Sequence, residues 1–171
     1  MSTKMAVHYS SASADWHTPA AIIERAVRTM GAIDLDQCSN DGPPVVPAFR
    51  YYRLADDGLA RAWDGRIYMN PPYGRDIGRW IEKLCLDYEG EYVTEAVALL
   101  PARTDTAWFR RLRYYTHCFL WGRLKFSGHT AGAPFPSVVV YLGPHVPAFA
   151  AAFSDIGDIY QTVTTRGKEE R

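Results

Sequence analysis

The sequence predicts an α/β fold in which helices cover both faces of one sheet. Segments with helical periodicity alternate with short apolar or β-branched runs. Residues 95–101 form a continuous apolar run, as expected of a central parallel strand that is buried on both faces. At 171 residues the chain is long enough to bury one sizeable core. We therefore expect a single domain over residues 15–160, with a flexible arm over 1–14 and a solvated tail over 161–171.

The N-terminal half begins with a predicted helix. Thr18 followed by Pro19 is typical of a helix start, and Gly31 can end the helix. Its apolar residues share one helical stripe: Ile22, Ile23, Ala26, Val27 and Met30. A short strand is predicted over residues 32–38. Residues 39–64 contain three prolines and no clear periodicity, which is typical of a functional or mobile segment.

The second half alternates in the same way. Residues 66–69 are predicted to be a buried strand that runs into Asn70, and Asp76 can cap the helix that follows. The other predicted elements are a strand over 95–101, a helix over 104–115, strands over 117–121 and 136–142, and a helix over 147–154.

Composition excludes several classes of protein. A net charge of zero argues against a protein that coats nucleic acid nonspecifically, and no apolar run is long enough to span a membrane. The N-terminus does not resemble a secretory signal. Three widely spaced cysteines and five histidines show no ligand spacing, so we expect no metal site and reduced thiols in the cytoplasm. Between Arg103 and Lys125, six basic residues accompany one acidic residue, which indicates either a solvated helix face or a phosphate-facing patch.

The sequence "IYMNPPYGRDIG" (67–78) places a stiff corner at the end of a predicted strand, where doubly wound sheets bind their ligands. Asn70 offers a side-chain carbonyl and Pro71 a backbone carbonyl, and Pro72 stiffens the turn. Two fixed acceptors suit a planar NH₂ group, whose delocalised lone pair they would help to expose. Tyr73 can present a flat ring on which a base stacks. An electrophile completes this chemistry, and a sulfonium methyl donor fits.

Asn-Pro-Pro-Tyr is similar to the catalytic motif of amino-methyltransferases that act on DNA adenine, RNA guanine or protein glutamine, although it also occurs as a simple turn. Six segments in order extend the likeness: "DWHTPAAIIERAV", "LDQCSND", "DDGLARAW", "GRIYMNPPYGRDIGRWIEK", "LLPARTDTAWF" and "GRLKFSG…APFPSVVVYL". Over residues 15–142 the chain resembles the phage-type DNA N6-adenine methyltransferase family.

The resemblance implies a Rossmann-like sheet that binds S-adenosylmethionine and needs no metal. It implies methyl transfer to the exocyclic amine of a flipped adenine in double-stranded DNA. It also implies a phage or prophage protein in the cytoplasm of a bacterial host. Asn70, Pro71, Pro72 and Tyr73 match the catalytic motif, and Asn70 also borders the cofactor.

The resemblance further implies cofactor contacts on three segments. Trp16, Thr18 and Pro19 match a segment that packs over the methionine end of the cofactor. From the residues alone, a helix cap is favoured for Thr18-Pro19, and Trp16 can equally be a core anchor. Asp36 matches an acid that can pair with the ammonium, and Cys38 lies two residues further on. Gln37 replaces the usual proline, and no Gly-x-Gly follows. Asp57 can hold a ribose hydroxyl pair or form an Asp-Asp-Gly turn.

DNA contacts are expected on the other side of the corner. Arg103 can contact a phosphate or pair with Asp105, and Arg123, Lys125 and Phe126 form a basic-aromatic-basic cluster that can clamp a strand. The chain has no room for a separate recognition domain, so we expect the loops 39–64 and 122–137 to read a short site with low stringency.

Three other functions remain open from the sequence. The same chemistry can act on an RNA base or on a protein glutamine. A relative that has lost its cofactor can still bind nucleic acid, and a structural protein can contain the motif as a turn.

Overall fold

A computed structural model of the protein describes residues 16–163. Its strands are β1 (Ile33–Asp36), β2 (Ala48–Tyr51), β3 (Gly65–Met69), β4 (Val93–Pro101), β5 (Thr116–Leu120), β6 (Ser137–Leu142) and β7 (Gly157–Tyr160). Its helices are α1 (Ala20–Met30), α2 (Ile77–Glu89), α3 (Ala107–Arg111) and α4 (Val146–Phe153). Two short 3₁₀ turns, Leu54–Asp56 and Gly58–Ala60, lie between β2 and β3.

The strands form one mixed sheet in the order β2-β1-β3-β4-β6-β5-β7. The first four strands in this order are parallel, and β6 runs antiparallel between β4 and β5. From β1 the chain passes to β2 on one side and then to β3 on the other. The carboxyl ends of β1 and β3 therefore form a topological switch point, which is where open α/β sheets bind ligands.

Helices cover both faces of this sheet. α1 and α4 pack against one face and α2 and α3 against the other. The central strand β4 supplies both cores, because Val97 and Leu99 face α1 while Ala96, Ala98 and Leu100 face α2. All five side chains are fully buried. The predicted α/β class, with a Rossmann-like sheet between two helical layers, is confirmed.

Several predicted elements change in the structure. β2 lies inside the segment 39–64 that had no predicted periodicity, and its outer residues Phe49 and Tyr51 are exposed because β2 is an edge strand. β7 was not predicted either. The helix predicted over 104–115 is only α3, because the chain leaves the helix in turns that begin at Leu112.

The start of α1 also differs from the prediction. Pro19 is the N-cap residue and no side chain caps the helix, so Thr18 is not the cap that the sequence favoured. The predicted arm and most of the predicted tail lie outside the described residues, and the limits of the domain stay a prediction. Within residues 16–163, no helix is long and apolar enough to cross a membrane.

Candidate active site

Two adjoining cavities lie at the switch point. The smaller, about 40 Å³, contacts Thr18, Asp36, Tyr68 and Asn70, and the larger, about 360 Å³, extends past Gln37 to the residues that precede β3. Both cavities are lined by His17 and by residues 38–41. The larger volume falls within the range of about 300–1,000 Å³ that is typical of small-molecule sites. The end of β1 is thus the wall that the two cavities share.

Asn70, directly after β3, has one free and one fixed end in its side-chain amide. Its Nδ2 donates to the backbone oxygen of Trp16 at 2.6 Å and to Oγ1 of Thr18 at 3.1 Å. A backbone oxygen can only accept, so the nitrogen must be the end that faces Trp16. The other end, Oδ1, is buried and has no hydrogen-bond partner among the described residues. The carbonyl end of the amide is therefore held ready to accept a hydrogen bond.

The segment 16–18 is itself held by the loop between β5 and β6. Ser127 donates its backbone N–H to the oxygen of His17 at 2.9 Å. The indole of Trp16 packs on Phe126, His129 and Phe135, with ring centroids 5.0, 4.6 and 5.4 Å away. Trp16 lines neither cavity, so its direct role here is to anchor the segment that orients Asn70.

Tyr73, the last residue of the motif, is half-buried and fixed at both ends. Its hydroxyl donates to the backbone oxygen of Leu99 at 3.1 Å, and its ring lies edge-on to Phe135 and Phe126 at 5.4 and 6.3 Å. Burial raises the pKa of its hydroxyl well above the ordinary value. The ring lines neither cavity, and its use as a stacking surface stays a prediction.

Asp36, the last residue of β1, places a carboxyl group in the smaller cavity. It is 5% exposed, and burial raises its pKa to about 6, opposed by hydrogen bonds from the Cys38 backbone and the Ser39 side chain. No ion pair within the described part of the chain includes Asp36. Cys38 donates its thiol to the backbone oxygen of Asn70 at 3.1 Å, and burial raises its pKa well above the ordinary value, so it packs as a neutral group.

Comparison with known proteins assigns the sequence of this chain to a family. Residues 7–138 match the family model described as DNA N-6-adenine-methyltransferase (Dam). The chain is 29% identical to a DNA N-6-adenine-methyltransferase of Escherichia phage T1 over 111 residues, which is 62% of this chain and 43% of the phage T1 protein. This chain therefore matches less than half the length of that relative.

The chain belongs to the Dam family. The resemblance inferred from the sequence is confirmed, and membership of a methyltransferase family implies a methyl donor. Of the residues expected to contact that donor, Thr18, Asp36, Cys38 and Asn70 line the smaller cavity, while Cys38 and Asp57 line the larger one. Pro19, like Trp16, lines neither cavity.

The larger cavity of this Dam-family protein contains polar groups that the sequence analysis did not assign. Gln37 is fully buried, and both its Nε2 and its Oε1 lack partners in the described chain. Arg53, after β2, has an unpartnered Nε and donates an Nη to the oxygen of Gly42 at 3.0 Å. Burial of unpaired polar atoms is costly, so such atoms at a cavity wall indicate ligand contacts. The position of Gln37, directly after a strand that ends at the switch point, was the available signal.

The residues expected to contact DNA fall into two groups. Arg103, Arg123 and Lys125 are exposed, follow the carboxyl ends of β4 and β5, and make no ion pair with a described residue. The alternative pairing of Arg103 with Asp105 is therefore not formed. Phe126 was expected to clamp a strand of nucleic acid together with Arg123 and Lys125, but it is 1% exposed and packs in the core against Trp16. A ring in that position cannot clamp DNA, so this expectation for Phe126 is corrected.

The described part of this chain contains no group of three or more His, Cys, Asp or Glu side chains placed to hold a metal ion. The electrostatic character of the site instead comes from single groups. Asp36 and Asp41 line the smaller cavity, and Asp41, Asp57 and Arg53 line the larger one, so both cavities have carboxyl groups and only the larger one also has a guanidinium.

Proposed function

We propose that this protein transfers a methyl group from S-adenosylmethionine to the N6 amine of adenine in double-stranded DNA. The observation that carries the proposal is the unpartnered, buried Oδ1 of Asn70 at the switch point. Family membership and the 29% identity to the phage T1 protein, which is named a DNA N-6-adenine-methyltransferase, support the same substrate. We infer no RNA or protein acceptor, because nothing in the site favours one.

Asn70 and Pro71 act on the amine. Oδ1 of Asn70 accepts one N–H of the adenine amine, and the backbone carbonyl of Pro71 accepts the other. The two dipoles draw the hydrogens out of the ring plane and stabilise the positive charge that develops on the nitrogen, which is a gain made in the transition state. With the cofactor bound, the nitrogen would gain the methyl carbon as the carbon–sulfur bond breaks, S-adenosylhomocysteine would leave as a neutral thioether, and the nitrogen would release one proton to water.

Tyr73 and Pro72 position the base. The target adenine has to leave the DNA stack to reach Asn70, and the ring of Tyr73, three residues after Asn70, would replace part of the stacking that is lost. The hydrogen bond from the Tyr73 hydroxyl to the backbone oxygen of Leu99 fixes the ring, so little side-chain entropy is lost when a base binds.

The residues present fit the proposed cofactor. S-adenosylmethionine, when bound, supplies an electrophilic methyl group on a sulfonium. Asp36 supplies a buried carboxylate for the ammonium at the amino-acid end, and Thr18 and Cys38 close the wall beside it. Asp57 lines the larger cavity, where its carboxylate can accept from a ribose hydroxyl. Trp16 and Pro19 act by holding the segment that packs over this end.

Arg103, Arg123 and Lys125 form the proposed DNA contact surface. They are exposed basic residues on the same edge of the sheet as Asn70, where phosphates of a duplex presented to the site would pass. The relative comes from a phage, so the proposal makes this chain a phage or prophage protein that acts in the cytoplasm of a bacterial host.

The proposal is tested with tritiated S-adenosylmethionine and three acceptors: unmethylated duplex DNA, transfer RNA and a cell protein extract. Label in N6-methyladenine of the DNA is expected. Label only in RNA or protein would keep the chemistry and refute the substrate. No label in any acceptor, together with no binding of the cofactor in calorimetry, would refute the proposed function.

The role of Asn70 is tested separately by Asn70→Ala. Loss of one preorganised group at a developing charge typically lowers the rate about 100- to 1,000-fold. The affinity for S-adenosylhomocysteine is expected to stay within a few-fold of the unsubstituted protein, because Asp36 and the larger cavity are unchanged. Turnover at the original rate would show that Asn70 does not act on the amine.

A further inference from the structure

Gln37 is the buried side chain of the site that lacks an explanation. It follows Asp36 directly, and successive side chains at the end of a strand point to opposite faces of the sheet. Asp36 accordingly lines the smaller cavity and Gln37 the larger one. The carboxamide is 0% exposed, and neither its donor nor its acceptor has a partner among residues 16–163.

The groups around Gln37 favour a flat, uncharged ligand. Its neighbours along the wall include the indole of Trp80, the ring of Pro72 and the backbone of Gly58. A Cβ on Gly58 would lie 2.2 Å from the backbone oxygen of Gln37 and 3.2 Å from the ring of Trp80, so a side chain is excluded there. Gln37 therefore lies beside a flat indole and bare backbone, while the polar residues Asn40, Asp41, Arg53 and Asp57 line other parts of the same cavity.

A carboxamide presents one donor and one acceptor in a plane. Adenine offers the complementary pair, an amino donor beside a ring-nitrogen acceptor, and Gln or Asn pairs with that edge through two hydrogen bonds. A ribose hydroxyl or an ammonium cannot satisfy both ends in one plane. The ammonium of the cofactor is assigned to Asp36, which lines the smaller cavity and not the one that Gln37 lines.

We infer that Gln37 binds the adenine edge of the methyl donor through two hydrogen bonds and so selects an adenosine cofactor. This inference rests on the proposed function, since it assigns a residue to the cofactor of that same site. Gln37 is a binding residue here and takes no part in the chemistry at the methyl group.

The test compares two ligands that differ only at this edge. S-adenosylhomocysteine is titrated by calorimetry against its purine analogue, in which a hydrogen replaces the amine, so that no rotation of the carboxamide restores the second hydrogen bond. For the unsubstituted protein we expect the purine analogue to bind about 5- to 150-fold more weakly, the range that corresponds to one well-formed paired contact. Equal binding of both ligands by the unsubstituted protein would overturn the inference.

Gln37→Met keeps the length of the side chain and removes both polar atoms. We expect this variant to bind S-adenosylhomocysteine more weakly and to discriminate between the two ligands less than about 3-fold. Without ligand it should unfold at a higher temperature, because two unpaired buried atoms are gone. Gln161→Met, which changes an exposed glutamine far from both cavities, is the matched control and should leave the ratio unchanged.

The outcomes separate this inference from the proposed function. If Gln37→Met binds S-adenosylhomocysteine with the original ratio between the two ligands, the assignment of Gln37 is wrong and the methyltransferase activity stands. If the unsubstituted protein binds neither ligand, the proposed function and this inference are both wrong.

Discussion

The buried carboxyl group of Asp36 should make the protein less stable than it would be without the charge. Its pKa of about 6 exceeds the ordinary value of 3.8 because the ionised form has lost its water. A difference of this size corresponds to about 3 kcal/mol at pH 8, where the group is charged in both the folded and the unfolded chain. Asp36→Asn removes the charge and keeps an acceptor for the Cys38 N–H, and the Ser39 hydroxyl can accept from the new NH₂.

We therefore expect Asp36→Asn to raise the free energy of unfolding of the unliganded protein by about 3 kcal/mol at pH 8. The sign follows from linkage: the folded state holds its proton more tightly, so its stability falls as pH rises from about 4 to about 6. The advantage of the variant should fall to about half of that value at pH 5 and vanish below about pH 3. Tyr68 and Cys38, the titratable groups that interact with Asp36, have raised pKa values and stay neutral over this range.

Urea unfolding at pH 5, 6.5 and 8 measures this difference, and Asp34→Asn is the matched control. Asp34 lies two residues earlier on β1, and its bidentate pair with Arg66, at 2.9 Å for each bond, lowers its pKa. Loss of that pair should destabilise the protein at pH 8, with the effect shrinking as pH falls through the lowered pKa. If Asp36→Asn is no more stable at pH 8, or if its advantage is the same at pH 5, the argument from burial is refuted.

The same substitution should weaken the binding of S-adenosylhomocysteine by about 10- to 100-fold, the usual worth of a charge-assisted hydrogen bond. A variant that is more stable and binds less well would show that Asp36 is kept for its ligand. Unchanged affinity would mean that the ammonium binds elsewhere.

The remaining predictions concern Gly58 in the wall of the larger cavity, the Asn-Pro-Pro-Tyr motif and the proposed DNA contact surface. Gly58→Ala should lose about 1–3 kcal/mol of stability by overpacking, whereas Gly74→Ala, where a Cβ meets nothing within 4 Å, should change stability by less than about 0.5 kcal/mol in thermal unfolding. Tyr73→Phe should cost about 1 kcal/mol of stability and keep most of the methylation rate, and Tyr73→Ala should lose far more of that rate; equal losses would exclude a role for the ring. Arg103→Gln and Lys125→Gln should each reduce the slope of log affinity against log salt for duplex DNA by about one, and an unchanged slope would place the phosphates elsewhere.

The predictable part of the fold is the part with strong periodicity. The stripes of α1 and α2 and the apolar run of β4 determine two faces and a centre, and these are found as predicted. β2 was not predicted because an edge strand buries few side chains. Its sequence therefore shows no alternation of apolar and polar residues. The helix predicted over 104–115 was too long, because the basic residues up to Arg113 fit a helical pattern. In the structure the backbone leaves the helix at Leu112 and continues in turns.

The site was predictable where its residues lie in one segment. The turn at Asn70 can be recognised in the sequence because its hydrogen-bond acceptors, on Asn70 and Pro71, and its prolines are adjacent residues. Trp16, Thr18 and Phe126 were harder to assign, since their roles depend on contacts across 50 or more residues that no local pattern encodes. Gln37 was visible as a departure from the family turn, but only its burial shows that both of its polar atoms are unpaired.

The hydrogen bonds that hold the Asn70 amide also have a consequence for folding during synthesis. Its amide is set by residues 54 and 52 positions earlier, and that early segment is tied in turn to Ser127, 109 positions after Thr18. Contacts of such high sequence separation form late, because the closing of long loops has to precede them. On the ribosome, the first described residues emerge long before the loop that holds them. The orientation of the Asn70 amide therefore forms only after Ser127 has been made, and a chain that is released before that point would contain the motif without this orientation.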